Sequence, residues 1–139
     1  MKDIIDLIAR VLLAFIFLFE AYDSTVYFKS TKLLMTQYGI TWKQDLLLTA
    51  TIAFLLVGGT LILIGYRSKL GAVLILVYWI PVTFIVHSFW NDPPEEQRWQ
   101  SILFMKNLAI TGGLLMVLVN GSGRYSVRRL FATFKVPGA

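Results

Sequence analysis

Four apolar runs, each close to the length that crosses a bilayer, constrain this chain more than anything else in it. They lie at about Ile4 to Tyr22, Leu46 to Ile64, Leu70 to Phe89 and Ile102 to Val119. Spanning about 30 Å of hydrocarbon at about 1.5 Å per residue takes about 20 residues, and in lipid every backbone polar group must be satisfied within its own segment. The expected fold is therefore all-α: one transmembrane domain over residues 1–139, built as an integral membrane bundle of four helices. The first run is impure, with Asp6 and Arg10 near its start and Glu20 near its end. Its uninterrupted stretch, Val11 to Phe19, would suit a signal peptide, but no small-residue cleavage site follows it. It reads as a retained helix.

Composition removes whole classes of function. The chain is 57% hydrophobic and 15% charged, and a soluble domain of 139 residues with that balance would expose too much apolar surface. Cysteine is absent, which excludes disulfides, thiol nucleophiles, iron–sulfur clusters and thiolate zinc sites. One histidine supplies neither bis-histidine haem ligation nor a histidine-rich metal site. No metal site and no intrinsic cofactor are expected, and without them the chain leans away from being an enzyme on its own.

The net charge of +5 distributes as a topology signal, not as a nucleic-acid footprint. In a four-span chain Lys2, Arg10, Arg67, Lys69, Arg124, Arg128, Arg129 and Lys135 share one side with only Asp3 and Asp6. The other side holds Lys29, Lys32, Lys43, Arg98 and Lys106 against Glu20, Asp23, Asp45, Asp92, Glu95 and Glu96. The positive-inside rule then places both termini in the cytoplasm. The basic tail, residues 121–139, interleaves its cations with Tyr125, Leu130, Phe131 and Phe134. That pattern suits a short helix on anionic lipid, or simply a solvated basic end.

Smaller signals organise the interior. The connection from Asp23 to Asp45 carries Tyr27, Phe28, Tyr38 and Trp42, so it is expected to lie along the interface. Gly58-Gly59 before Gly65, and Gly112-Gly113 before Gly121, recur at matching positions in spans two and four. They predict close approach between those two helices and hint at a parallel repeat of two hairpins. Pro81 should kink span three. Asn91 to Glu96 reads as a turn leading into span four, with acids at the helix start.

Ionisable groups inside a membrane cost about 2.5 to 3.5 kcal/mol each on insertion scales, so function is sought where they cluster. Glu20, Asp23 and Tyr27 share one helical face, as do Thr83, His87 and Trp90; Lys106 follows Leu103 on span four with Asn107 beside it. All lie in the external half of their helices. The candidate ligand-binding residues are Lys106, His87, Asn107, Glu20, Asp23 and Trp90. Lys106 would anchor a ligand, Glu20 would be its partner or a proton acceptor, and His87 a titrating donor. Three readings compete: an ion pair of Glu20 with Lys106 that only orients the bundle, a site for an amphipathic molecule such as a quinone, and a proton relay. Interfacial anchoring explains Trp42, Trp90 and Trp99 without any function.

His87-Ser88-Phe89-Trp90, the acidic loop, Phe104-Met105-Lys106-Asn107-Leu108-Ala109, Gly112-Gly113 and Gly121-Ser122-Gly123-Arg124-Tyr125-Ser126 resemble the signature of the DoxX family, as does Met35 to Ile40. The resemblance implies a multi-pass protein of the bacterial inner membrane. It also implies kinship with quinone-reducing and thiol-oxidising membrane subunits, and so a bound quinone and a redox complex. Membrane lipids and a protein partner or homo-oligomer are the expected company. The alternative is a non-catalytic structural or assembly subunit. Ser126 leads here into Val127-Arg128-Arg129 where the family has Ser-Leu-Asp, and Glu20 and Asp23 stand where it has Gly-x-x-Lys. Thiosulfate chemistry is not carried over.

Overall fold

A computed structural model describes residues 1–134, which are helical throughout apart from short turns. Helix α1 spans Lys2–Val26, α2 Phe28–Gln37, α3 Gln44–Ile64, α4 Ser68–Val86, α5 Pro94–Asn120 and α6 Val127–Phe134, with a single 3₁₀ turn at Phe89–Asn91. Lys135, counted above in the basic tail, lies outside the described residues.

The four long helices pack in the order α1, α3, α4, α5, and α5 returns to α1 only sparingly. Ala14, Phe17 and Ala21 of α1 meet Leu55 and Ile62 of α3, and Ala72, Ile75, Leu76 and Trp79 of α4, in one buried core. Phe17 and Trp79 stand edge to face at its centre, ring centroids 5.1 Å apart. The outward surface is apolar as well: Leu12, Phe15, Val77, Met116 and Val119 are all more than half exposed. That distribution fits a lipid solvent.

Three helices, α3, α4 and α5, are long and apolar enough to cross a membrane by length and composition. By that measure three of the four expected spans are met, and α1 is the one that is not. Helix α1 has the length, 25 residues, but Asp6, Arg10 and Glu20 break its apolar run. Helix α1 runs past Tyr22 to Val26 and stops at Tyr27, where the backbone leaves helical geometry (φ −101°, ψ 34°) before α2 begins. Helix α2 folds back on α3, where Lys32 Nζ reaches Asp45 at 2.7 Å and Gln44 Nε2 donates to Thr36 Oγ1 at 2.7 Å. The acidic loop behaves as read: α5 begins at Pro94 with Glu95 and Glu96 in its first turn, near the positive end of the helix dipole.

The glycine pairs do not join spans two and four. A Cβ on Gly58 would lie 2.9 Å from the Gly71 carbonyl, and one on Gly71 2.7 Å from the Gly58 carbonyl, so this pair brings α3 against α4. Gly59 faces Leu18 of α1, Gly113 faces Leu13 of α1, and Gly112 faces open space. Matching spacing did not mean matching partners.

Candidate functional site

Polar groups gather at both ends of the bundle, and the two ends differ in kind. At one end Arg10, 2% exposed, is enclosed by acceptors. Its Nε meets Asp6 Oδ2 at 3.0 Å, Nη1 donates to the Ile62 and Leu63 carbonyls at 3.2 Å each, and Nη2 donates to the Tyr125 carbonyl. The Ile62 and Leu63 carbonyls belong to the last turn of α3, where helix carbonyls have no intrahelical donor. Asp6 Oδ2 also accepts from the Gly123 N–H at 3.0 Å. Ser122 Oγ donates to the Gly65 carbonyl at 2.9 Å and lies 2.6 Å from Ser68 Oγ. Gly65 turns the chain at φ 70°, and a side chain there would strike Arg10 Nη1 at 2.6 Å. The Gly121-Ser122-Gly123 loop, the α3–α4 turn and the start of α1 form one closed knot.

The other end is open. A cavity of about 590 Å³ lies between α1, α2, α3, α4 and the start of α5. Its apolar wall includes Leu34, Met35, Leu47, Leu48, Val82 and Leu103. Two polar pairs break that wall. Tyr78 donates its hydroxyl to Glu20 Oε1 at 2.9 Å, and His87 Nδ1 lies 2.9 Å from Gln100 Oε1. Gln100 Oε1 can only accept, so Nδ1 carries the proton and Nε2 of the neutral ring is left as an acceptor. Asp23, Ser24, Thr31, Tyr38 and Thr51 complete the polar lining. Pro81 lines the same cavity and removes the hydrogen bond that the Val77 carbonyl would otherwise receive.

The sequence-derived set divides. Glu20, Asp23 and His87 line the cavity; Lys106, Asn107 and Trp90 do not. Lys106 is exposed on α5, and among the described residues the only ion pairs are Arg10–Asp6 and Lys32–Asp45. The Glu20–Lys106 pair therefore does not form. Asn107 instead joins α5 to α4: its Nδ2 donates to Thr83 Oγ1 at 3.2 Å and its carbonyl accepts from Trp79 Nε1 at 3.3 Å. Trp90 packs against Phe104 and Phe89 at centroid distances of 5.7 and 5.3 Å, and is 52% exposed.

Charge alone does not point to Tyr78 or Gln100, which are uncharged partners of Glu20 and His87. Tyr78, Val82 and Val86 repeat every fourth residue on the face of α4 that lines the cavity, a pattern available in the sequence. Asp6 and Arg10 were read as topology charges, although their spacing of four on one helix inside an apolar run already marked an internal pair.

A family model described as DoxX matches residues 5–88, more than half of the chain. The chain belongs to the DoxX family. The matched residues of this DoxX protein run from α1 to the end of α4 and include Asp6, Arg10, Glu20, Tyr78 and His87. The Lys106-Asn107-Leu108-Ala109 and Gly112-Gly113 stretch, part of the resemblance described above, lies beyond them. The chain is 28% identical over 130 residues to inner membrane protein YqjF of Escherichia coli (strain K12), covering 94% of each. It is 27% identical over 130 residues to inner membrane protein YphA of the same organism, covering 92% of this chain and 91% of that one. A surfeit locus protein 4 homolog of Schizosaccharomyces pombe is 29% identical over 91 residues, 64% of this chain and 29% of that protein. No solved structure matches it. This DoxX protein is accordingly an inner membrane protein of that family.

Proposed function

We propose that this DoxX protein is a small membrane subunit that holds a lipid-soluble ring compound of the quinone class in the cavity bounded by Glu20, Tyr78, His87 and Gln100. The supporting observation is the arrangement of that cavity: a mainly apolar wall of about 590 Å³, within the ~300–1,000 Å³ usual for small-molecule sites, interrupted by two separate polar pairs. A quinone carbonyl accepts from the Gln100 side-chain N–H, while a quinol hydroxyl donates to Glu20 or to His87 Nε2. Electron transfer would require a protein partner. The groove of about 630 Å³ between α1 and α5, lined by Leu12, Ile16 and Gly113, favours a second reading in which the subunit assembles with a partner helix or another copy.

Four spans with both termini cytoplasmic complete the proposal. Helix α1 lies alongside α3 over its length, with Arg10 and Asp6 satisfied at one end and Glu20 bonded to Tyr78 toward the other. Only apolar residues, Val11 to Phe19, lie between them. The basic residues Lys2, Arg67, Lys69, Arg124 and Arg128 are all near the Arg10 end, in keeping with the positive-inside rule. Because the chain has no cysteine, single cysteines at Glu95 and Ser126 report topology without background labelling.

The ligand test is binding of a short-tailed quinone to the purified protein in neutral detergent, by equilibrium dialysis. Glu20→Gln and His87→Ala should each weaken it about ten-fold, about 1.4 kcal/mol, while Lys106→Ala leaves it unchanged. Loss on Lys106→Ala with retention in both cavity variants would refute this placement of the site.

A further inference from the structure

The closed end carries a second feature beside the knot. A depression of about 570 Å³ opens between the α3–α4 turn and α6, lined by Tyr66, Arg67, Ser68, Lys69, Leu70 and Arg128. Three of its residues are cations, and among the described residues none has a carboxylate within 4 Å. Lys69 Cε and Arg128 Nη1 lie 3.3 and 3.8 Å from the position of a Cβ on Gly121, so these two side chains are neighbours despite like charge. Lys69 Nζ reaches only a neutral acceptor, the Val119 carbonyl, at 3.1 Å. Arg67 holds a left-handed backbone (φ 47°), where glycine or asparagine would be less strained. Directly after it α4 begins, with first-turn N–H groups that have no intrahelical acceptor.

We propose that this depression binds the phosphate headgroup of an anionic membrane lipid. Clustered cations and a helix N-terminus supply complementary charge and donors. The apolar flank argues for a lipid and against a soluble anion. Tyr66 and Leu70 are exposed beside the cations, Leu130 and Phe131 of α6 are more than half exposed, and Phe131 meets Tyr66 at 6.1 Å between centroids. Arg67 Cζ also lies over the Tyr66 ring, 5.9 Å from its centroid. Acyl chains would descend along these side chains into the bilayer while the phosphate remains among Arg67, Lys69 and Arg128.

Native mass spectrometry tests this on the full chain, offered phosphatidylglycerol or phosphatidylcholine in mixed micelles. The wild type should retain phosphatidylglycerol selectively. Arg128→Gln should weaken retention about five-fold, about 1 kcal/mol, and the triple variant R67Q/K69Q/R128Q should abolish the preference. K29Q/K43Q, at the opposite end, should behave as wild type. Arg128 lies on α6, outside the four-helix core, so R128Q remains informative if the triple variant fails to fold. Undiminished selectivity in R128Q would overturn the site. Displacement of the lipid by inorganic phosphate alone would overturn its assignment to a lipid and leave a soluble-anion site.

Discussion

Replacing Arg10 by methionine, which keeps much of the side-chain length and removes every donor, should be the most damaging single change in the bundle. The guanidinium makes four hydrogen bonds, to Asp6, Ile62, Leu63 and Tyr125. At about 0.6 to 1.7 kcal/mol for each such bond in a membrane protein, the loss falls between about 2.5 and 7 kcal/mol. Breaking a buried ion pair from one side costs about 3 to 5 kcal/mol, inside that window, because the partner charge remains uncompensated. Asp6 would still accept from Gly123 N–H, so its charge would not be wholly stranded, which favours the lower half. The expectation is a destabilisation of about 3 to 4 kcal/mol. Asp6→Asn in the same background should restore about 1 to 2 kcal/mol. Reversible unfolding in mixed micelles, followed by tryptophan fluorescence, measures both. An R10M variant within about 0.5 kcal/mol of wild type, the range of ordinary surface changes, would refute the argument that this network closes the end of the bundle.

Other outcomes follow from the same geometry. Gly58→Ala should destabilise by about 1 to 3 kcal/mol, since its Cβ would meet Ile75 at 2.6 Å and the Gly71 carbonyl at 2.9 Å; Gly112→Ala, with nothing within 4 Å, should stay within about 0.5 kcal/mol in the same unfolding assay. Tyr78→Phe should cost only about 0.6 to 1.7 kcal/mol of stability yet alter quinone binding by dialysis, because it frees a carboxylate lining the cavity. Asn107→Leu should loosen α5 from α4 by a similar amount without changing the affinity of the cavity, since Asn107 does not line it.

Helical class and the positions of α3, α4 and α5 were legible because each depends on a local quantity, the length of an apolar run, that lipid leaves little freedom to override. The acidic loop was legible for the same reason: Pro94, Glu95 and Glu96 each suit a helix start on their own. Partners were not. Gly58 pairs with Gly71, which stands alone in α4, and no inspection of Gly112-Gly113 would reveal it. Lys106 and Glu20 shared a predicted depth, but depth says nothing of azimuth around a helix. The packing order α1, α3, α4, α5 leaves α5 touching α1 only lightly, and Lys106 on its exposed face. Charge was also the wrong filter at the cavity, where Tyr78 and Gln100 hold Glu20 and His87.

The two ends of the bundle divide the work between them. At the Arg10 end each polar group named in the knot has a partner within the chain, and Gly65 has no room for a side chain, so the knot itself offers a ligand no unpaired group. Helix geometry then transmits that rigidity: α1 and α4, held at one end by Asp6, Arg10 and Ser68, present Glu20 and Tyr78 to each other at the other end. Between them Phe17 packs on Trp79, which fixes the rotation of both helices. A ligand site with its first polar pair already bonded needs less ordering on binding, and preorganisation is what gives a small apolar cavity useful affinity. On the proposed quinone reading, R10M should weaken binding even though Arg10 lies nearly three helical turns from Glu20 along α1. The predicted signature is a lower affinity whose loss scales with lost stability across Arg10, Asp6 and Gly58 variants. Binding that stays constant while stability falls would mean that the two ends are independent.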